Sequence, residues 1–317
     1  MNDIPIISVI VPCYNQGMFV AETLESVMAQ TYHSWEVVIV DDGSTDDSRK
    51  VIDKYLKKDS RIRYYYQENG GVSKARNIAV KYSKGKYILP LDSDDKIAPT
   101  YLEKAVSYME YHPECVLFYC HANLFGEKTE PWIIEYKDYK SLLLHNCIFC
   151  SSVFRKADFY RVGGYDETFR TGFEDWEFYI RLLYGNGKVY QDPEVLFHYR
   201  QHNNISKSRT IEANQKEEEI FQVIYDKNKD KYHQFFPNDL VSLRKITKEI
   251  ESLKFDKNLL EATQRENKVL NETIAHLLSE LSNMHSREKL YLSYTLVKVI
   301  YKIIRAYRKH ILKEIIY

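Results

Sequence analysis

The sequence predicts an α/β fold: a Rossmann-like, mostly parallel sheet flanked by helices, followed by a C-terminal helical and coiled-coil extension. Three observations carry that prediction. Short, nearly continuous apolar runs alternate with amphipathic helical patterns through the first part of the chain, as strands buried on both faces require. Acidic and polar residues sit where those runs end. From about residue 241 to 288, apolar residues recur at heptad-like spacing instead.

The elements follow in order. "IISVIVPCYN" reads as a buried strand and "AETLESVMAQ" as an amphipathic helix. "WEVVIVDD" is a second strand, with a helix through "DDSRKVIDKYLKK"; "RIRYYYQE" is a third, with a helix over "SKARNIAVKYSKG". "KYILPLD" is a fourth strand, and the helix "PTYLEKAVSYMEYH" leads to the strand "CVLFYCHANLF". From about 130 to 205 the pattern loosens, leaving paired glycines in "RVGGYDE" and one clear helix in "EDWEFYIRLLYGNG". In parallel sheets, ligands bind outside the carboxyl ends of the strands. Those ends carry Tyr14 and Asn15, Asp41 and Asp42, and Asp92 to Asp95.

Bulk properties narrow the function class. A chain of 317 residues has room for one large domain and an appendage, and its formal net charge of zero gives no global attraction to nucleic acid. Five cysteines in this length do not form a disulfide framework. Cys147 and Cys150, at C-x-x-C spacing in an apolar context, read as buried thiols rather than half of a zinc site. The opening "MNDIPIISVIVPCYN" lacks the basic n-region of a secretory signal, so the expected compartment is reducing and cytoplasmic. No uninterrupted apolar run reaches the roughly 18 residues that span a bilayer.

The carboxylates at the strand ends carry the chemistry. Asp92, Asp94 and Asp95 place three acids in four residues after an apolar strand, which costs free energy unless a cation sits there. Hard oxygen ligands suit Mg²⁺ or Mn²⁺, and an ion held by few protein ligands keeps positions open for phosphate oxygens. In "VDDGSTDDS", Ser44 and Asp47 have capping-box spacing, which leaves Asp41 and Asp42 without a role. A carboxylate there suits the N3–H of a uracil, with Tyr14 stacking on the ring. In "GFEDWEFYIRLL", Glu174 and Asp175 open a helix, where acids also complement the dipole. Adjacent helical residues diverge by about 100°, so one of the two faces a given pocket. Asp175 is the expected one, because Trp176 must be buried and Glu174 can cap.

Taken together, "ISVIVPCYN", "VVIVDDGSTDDS", "GGVSKARNIAVKYSKGKYILPLDSDD", "RVGGYDE", "FEDWEFYIRLL" and "YRQHNNISKS" resemble the family 2 glycosyltransferases with the A-type nucleotide-binding fold. The resemblance covers roughly residues 5 to 210 and implies a catalytic domain over 1–210. It implies that Tyr14 and Asp42 contact uracil, with Asp41 assisting and Pro12 and Asn15 shaping the pocket. Arg76 resembles a basic residue near the nucleotide. Asp92 matches the ribose side of a D-x-D motif and Asp94 its metal side, with Asp95 a replacement ligand. Asp175 matches the catalytic base, with Glu174 the alternative. Arg200 and Lys207 are expected on the diphosphate, and His202 on the metal, with His198 as the other choice. The implied reaction is one in-line displacement at the anomeric carbon of a UDP-sugar, with inversion, onto a glycan or lipid-linked acceptor in surface polysaccharide synthesis. The helix dipole is expected to keep Asp175 ionised and weakly basic. A nucleotide-binding scaffold that acts through its coiled coil is the competing class, and the intact D-x-D and Glu-Asp pair count against it. A nicotinamide dehydrogenase lacks its G-x-G-x-x-G.

The remainder reads as a helical linker and coiled coil over 211–288 and a basic amphipathic helix over 289–317. Ile246, Ile250, Leu253 and Leu260 form one seam; Leu270, Ile274, Leu277, Leu281 and Met284 form a second, offset across Gln264 and Asn267. Such a seam implies a homo-oligomer, the alternative being a helix packed on its own domain. In the last segment Lys298, Lys302, Arg305, Lys309 and Lys313 share one face, opposite Leu296, Val299, Ile300, Ile303, Ile304, Tyr307 and Ile311. That pattern suits a helix lying on an anionic membrane surface, peripherally at the inner face of the cell membrane, or else a dimerisation helix. Deleting residues 289–317 is expected to release the protein from anionic liposomes in a flotation assay; unchanged binding would assign the segment to assembly.

Overall fold

The computed structural model describes residues 4–170, 172–185, 187–202 and 219–236. The chain divides into two compact units, Met1–Phe235 and Phe236–Tyr317. The expected coiled coil, the basic helix and Lys207 lie outside the described residues.

The expected alternation gives β1 (Ile7–Cys13), α1 (Val20–Met28), β2 (Trp35–Asp42), α2 (Ser48–Lys58), β3 (Ile62–Gln67), α3 (Val72–Tyr82) and β4 (Tyr87–Pro90). Every residue of β1, β2 and β4 is buried, which explains their unbroken apolar runs. β1 pairs in parallel with β2 from Ile7↔Trp35 and with β4 from Ile7↔Tyr87. The chain therefore steps outward from β1 to β2 and β3, then returns to β4 on the other side of β1. That reversal of direction opens a crevice beyond the carboxyl ends of β1 and β4.

Past β4 come β5 (Lys96–Ile97), α4 (Tyr101–Tyr111), β6 (Cys115–Gly126), β7 (Glu130–Trp132), α5 (Tyr139–Leu144), β8 (Val153–Arg155), α6 (Lys156–Arg161), α7 (Glu174–Leu183) and β9 (Lys188–Gln201). Helical residues 219–227 (α8) and α9 (Lys229–Phe235) complete this unit. The strand order is β3-β2-β1-β4-β8-β6-β9-β5, with β7 on β6. The block β3-β2-β1-β4 is parallel, as is β6 with β9, whereas β8, β7 and β5 join antiparallel. The looser sequence between 130 and 205 is this second half of the sheet. β9 escapes a periodicity reading because "QDPEV" interrupts it, and the register shifts at that point between Cys120 and His121.

Two local expectations change. The turn into α2 is not a Ser44–Asp47 capping box: Asp47 makes no side-chain cap bond. Instead, Asp46 Oδ1 accepts from the Ser48 amide at 2.9 Å and its Oδ2 from the Gly17 amide at 2.9 Å, tying the turn to the loop after β1. Residues 219–235 also fold against α5 and α7. The Phe221 ring lies 6.1 Å from Trp176, that of Phe235 5.2 Å from Tyr139, and Tyr232 is buried.

The paired glycines of "RVGGYDE" have a steric reason. Gly164 has φ +75°, and a Cβ there would lie 2.8 Å from Phe159 Cζ and 3.0 Å from Asn77 Oδ1. The close approach lets Asn77 on α3 clamp this loop, donating to the Tyr165 carbonyl at 2.9 Å and accepting from its amide at 2.9 Å. From α7, Arg181 donates to the Gly164 carbonyl at 2.8 Å. Gly164→Ala is expected to cost about 2 kcal/mol through strain and overpacking, read as a lower urea midpoint with an unchanged m-value.

Candidate active site

The crevice is walled first by the loops after β1 and β2. Asn15, in the left-handed region at φ 53°, accepts from the Thr45 amide at 2.8 Å, and its own amide donates to Ser44 Oγ at 2.9 Å. Pro12 is buried in β1 opposite Val40, and Tyr14 stands out from the rim with 46% of its surface exposed. Asp41 and Asp42 are both buried and both engaged. Asp41 accepts from Ser44 N and Tyr64 Oη, each at 2.8 Å. Asp42 accepts from Gln67 Nε2 at 2.5 Å and from the amides of Gly70 at 2.7 Å and Gly71 at 2.9 Å. Buried carboxylates need such partners. The Asp42 carboxylate thereby fixes the loop that starts α3.

The turn after β4 sorts the acidic cluster by alternation. Asp92 and Asp94 are partly exposed, whereas Ser93 and Asp95 are buried. Asp94 Oδ2 lies 2.8 Å from His202 Nε2. Burial and the neighbouring Asp92 push the Asp94 carboxyl up, against the pull of His202. His198 is elsewhere, paired across from Lys96 and edge-on to Phe125. Asp95 is the inward-facing member of the cluster. It is fully buried, its Oδ1 accepts the Arg200 amide at 2.8 Å, and burial followed by repulsion from Asp94 and Asp92 raises its carboxyl well above the usual range. Arg200 is engaged within the same turn. Its Nε donates to the Asp94 carbonyl at 2.7 Å, its Nη2 pairs with Glu22 at 3.0 Å, and its guanidinium lies over the rings of Phe19 and Phe125. It braces the acidic turn against β9.

Among the described residues no group of three metal-ligating side chains comes together. What fits a divalent cation is the Asp94–His202 pair: one hard oxygen and one imidazole nitrogen, leaving most coordination positions to phosphate oxygens and water.

The third wall is α7. Phe173, just before it, adopts φ 65°, costly for an aromatic residue and characteristic of functional turns. Arg76, fully buried on α3, joins the walls: Nη1 donates to Glu174 Oε1 at 2.5 Å and Nη2 to Asp92 Oδ1 at 2.7 Å. Burial opposes its charge, but Asp92 and Glu174 hold it protonated. Glu174 is thus the structural member of the pair. Asp175 is the partly exposed one, but it is not held strongly ionised. Burial, then repulsion from Glu174, push its carboxyl up to about 7, against Arg76, the Trp176 amide and Asn146. Desolvation outweighs the helix dipole here.

Asn146 carried no sequence signal, and neither the paired-glycine motif nor the C-x-x-C spacing pointed Tyr165 or Cys150 at this site. Cys147 is buried as expected, but Cys150 is half-buried with Sγ 3.5 Å from Asp92 Oδ2. The loop that carries Asn146 and Cys150 has no periodicity, and only its tethering to α7 brings it here.

An α/β sheet whose switch-point crevice gathers a D-x-D turn, an imidazole and a tuned carboxylate has the layout of a group-transfer enzyme. Comparison with known proteins gives the family. The profile described as glycosyl transferase family 2 matches residues 8–163, and one described as N-terminal domain of galactosyltransferase matches residues 135–204. The chain is 30% identical over 226 residues to the uncharacterized glycosyltransferase RT0329 of Rickettsia typhi, covering 68% of this chain and 69% of that one. It is 42% identical over 99 residues to glycosyltransferase GlyG of Streptococcus pneumoniae, covering 31% of this chain and 33% of that one. It is 38% identical over 128 residues to the putative teichuronic acid biosynthesis glycosyltransferase TuaG of Bacillus subtilis, covering 40% of this chain and 50% of that one. The chain thus spans half or less of GlyG and TuaG. S. aureus TarS in complex with UDP-GlcNAc shares the fold, with a TM-score of 0.56 at 22% identity over 63% of this chain and 59% of that one. The chain belongs to glycosyltransferase family 2.

Removing the buried cation tests the node that unites the site. Arg76→Ala is expected to cost about 3–5 kcal/mol, because Glu174 remains buried without a partner. Chemical denaturation reads the loss.

Proposed function

We propose that the protein is an inverting glycosyltransferase that moves a hexose from a UDP-sugar to a hydroxyl of a glycan or lipid-linked acceptor, in surface polysaccharide synthesis. The observation that carries this reading is the Arg76 bridge, which ties Glu174, the chain neighbour of Asp175, to Asp92 of the D-x-D turn. TarS, whose structure holds UDP-GlcNAc, and TuaG, named for teichuronic acid biosynthesis, support the donor and pathway classes.

In this reading the rim of Tyr14, Asn15, Asp41 and Asp42 takes the uracil and Asp92 the ribose. Asp94 and His202 hold Mn²⁺ or Mg²⁺, which when bound supplies positive charge to the departing diphosphate. Lys207 is assigned to the same diphosphate. Asp175 takes the proton from the acceptor hydroxyl as its oxygen bonds to the anomeric carbon and the bond to UDP breaks. A carboxyl near 7 suits that role better than one held fully ionised, since its basicity is matched to neutral pH. The expected coiled coil serves oligomerisation and the basic tail the membrane surface. Among the described residues no helix is long and apolar enough to cross a membrane.

Asp175→Asn is expected to abolish transfer, by about 10²-fold or more, while Mn²⁺-dependent UDP binding is retained. Retained turnover would move the base elsewhere. Because the acting form is deprotonated, the rate should rise with pH through about 7. The stability sign is opposite: a carboxyl raised in the fold favours the native state when protonated, so stability falls as pH climbs from about 4 to 7. Asp175→Asn should therefore raise the melting temperature at pH 8 relative to the parent. Asp94→Ala should weaken UDP binding by about tenfold in Mn²⁺ and leave it unchanged in EDTA, measured by calorimetry.

A further inference from the structure

Asp175 uses its two oxygens unequally. Oδ1 accepts from the Trp176 amide at 2.7 Å and from Asn146 Nδ2 at 3.2 Å; among the described residues Oδ2 accepts nothing. The Trp176 amide is fixed by the helix. Asn146 is not on α7 at all: it lies in the loop between α5 and β8, 29 positions away in sequence. α5 before the loop and the end of the loop itself are both fastened to α7. Tyr139 Oη donates to the Ile180 carbonyl at 2.8 Å, and Trp176 Nε1 to the Leu142 carbonyl at 2.5 Å. Tyr179 Oη donates to the Cys150 carbonyl at 2.8 Å. The Asn146 amide is thus delivered to one carboxylate oxygen by a braced loop rather than by chance contact.

We infer that Asn146 is the positioning residue of the candidate base, pinning Oδ1 of Asp175 so that Oδ2 is presented to the acceptor hydroxyl. This rests on the reading of Asp175 as the base. A carboxylate with two free oxygens swings about its Cβ–Cγ bond, and only some orientations reach an incoming proton. Two donors on one oxygen remove that freedom, and reach rather than strength of the base is what such pinning supplies. An amide is the side chain that does this without adding charge. The carboxylate already faces Glu174 on its own helix, Arg76 from α3, the Cys150 thiol, and the hydroxyls of Tyr165 and Tyr179. A carboxylate at 146 would add repulsion, and an aliphatic residue would leave Oδ1 with the Trp176 amide alone.

The test uses the full chain with UDP-glucose and UDP-N-acetylglucosamine in Mn²⁺, following UDP release as a function of pH, with Asn146→Ala, Asn146→Asp and the more conservative Asn146→Ser. Asn146→Ala should lower kcat about tenfold with the UDP dissociation constant unchanged, and move the acid limb upward by roughly half a pH unit, since a hydrogen bond to the ionised form is lost. Asn146→Asp should move that limb further, by about one unit or more, and recover rate at alkaline pH. Asn146→Ser, which keeps a short donor, should fall between the parent and the alanine variant. A second measurement needs no turnover: melting temperature against pH for Asn146→Ala, Asp175→Asn and the double variant. The pH-dependent part of the Asn146→Ala effect should vanish in the Asp175→Asn background. If it persists there, or if all three Asn146 variants keep the parental pH profile, Asn146 does not position Asp175. An active Asp175→Asn with the coupling intact would sink the base assignment and the positioning of a base, while showing that Asn146 still holds that carboxylate.

Discussion

The buried guanidinium of Arg76 is the interaction on which the rest of the site depends. It contacts Asp92 at the end of the central sheet and Glu174 at the start of α7, two elements that no backbone ladder joins. Hiding a guanidinium from water is costly, and the pairing is retained here with two carboxylates around one cation. The consequence is geometric. The acidic turn after β4 and the helix that carries Asp175 are held at a distance set by one planar group.

Everything that places Arg76 is itself placed by the site. Asp42 gives its carboxylate to the amides of Gly70 and Gly71 and so fixes where α3 begins. One turn further on, the same helix presents Arg76 to the crevice and Asn77 to the loop of the paired glycines. Arg181, about two turns along α7, holds that loop against the helix from the other side. Motifs far apart in sequence are thus one mechanical unit. The residues between them need not touch a ligand to matter for catalysis.

A comparable bracing governs the acidic turn. Asp95 faces inward and receives the Arg200 amide, while the Arg200 side chain returns to the Asp94 carbonyl and to Glu22. β9 is thereby anchored where its end brings His202 to Asp94. Carboxylates that look equivalent in sequence divide into ones that hold the turn and ones that face the crevice. The division follows the alternation of burial through residues 92 to 95.

The local elements of the first half were legible in the sequence because burial on both faces leaves an unbroken apolar run, and turn chemistry marks where each run stops. The strand-end carboxylates and the helix-opening pair Glu174–Asp175 were legible for the same reason: charge at the edge of an apolar segment stands out. Which oxygen is free, and how strongly it holds its proton, was not. Those depend on desolvation and on partners such as Asn146 and Arg76 that reach the site from other elements, so Asp175 is raised to about 7 where the helix end alone argued for full ionisation. Nor was β9, whose polar bulge hides its period, or the structural duty of Arg200. Sequence fixes what each segment prefers locally; only the packed chain sets the distances at which charges feel one another.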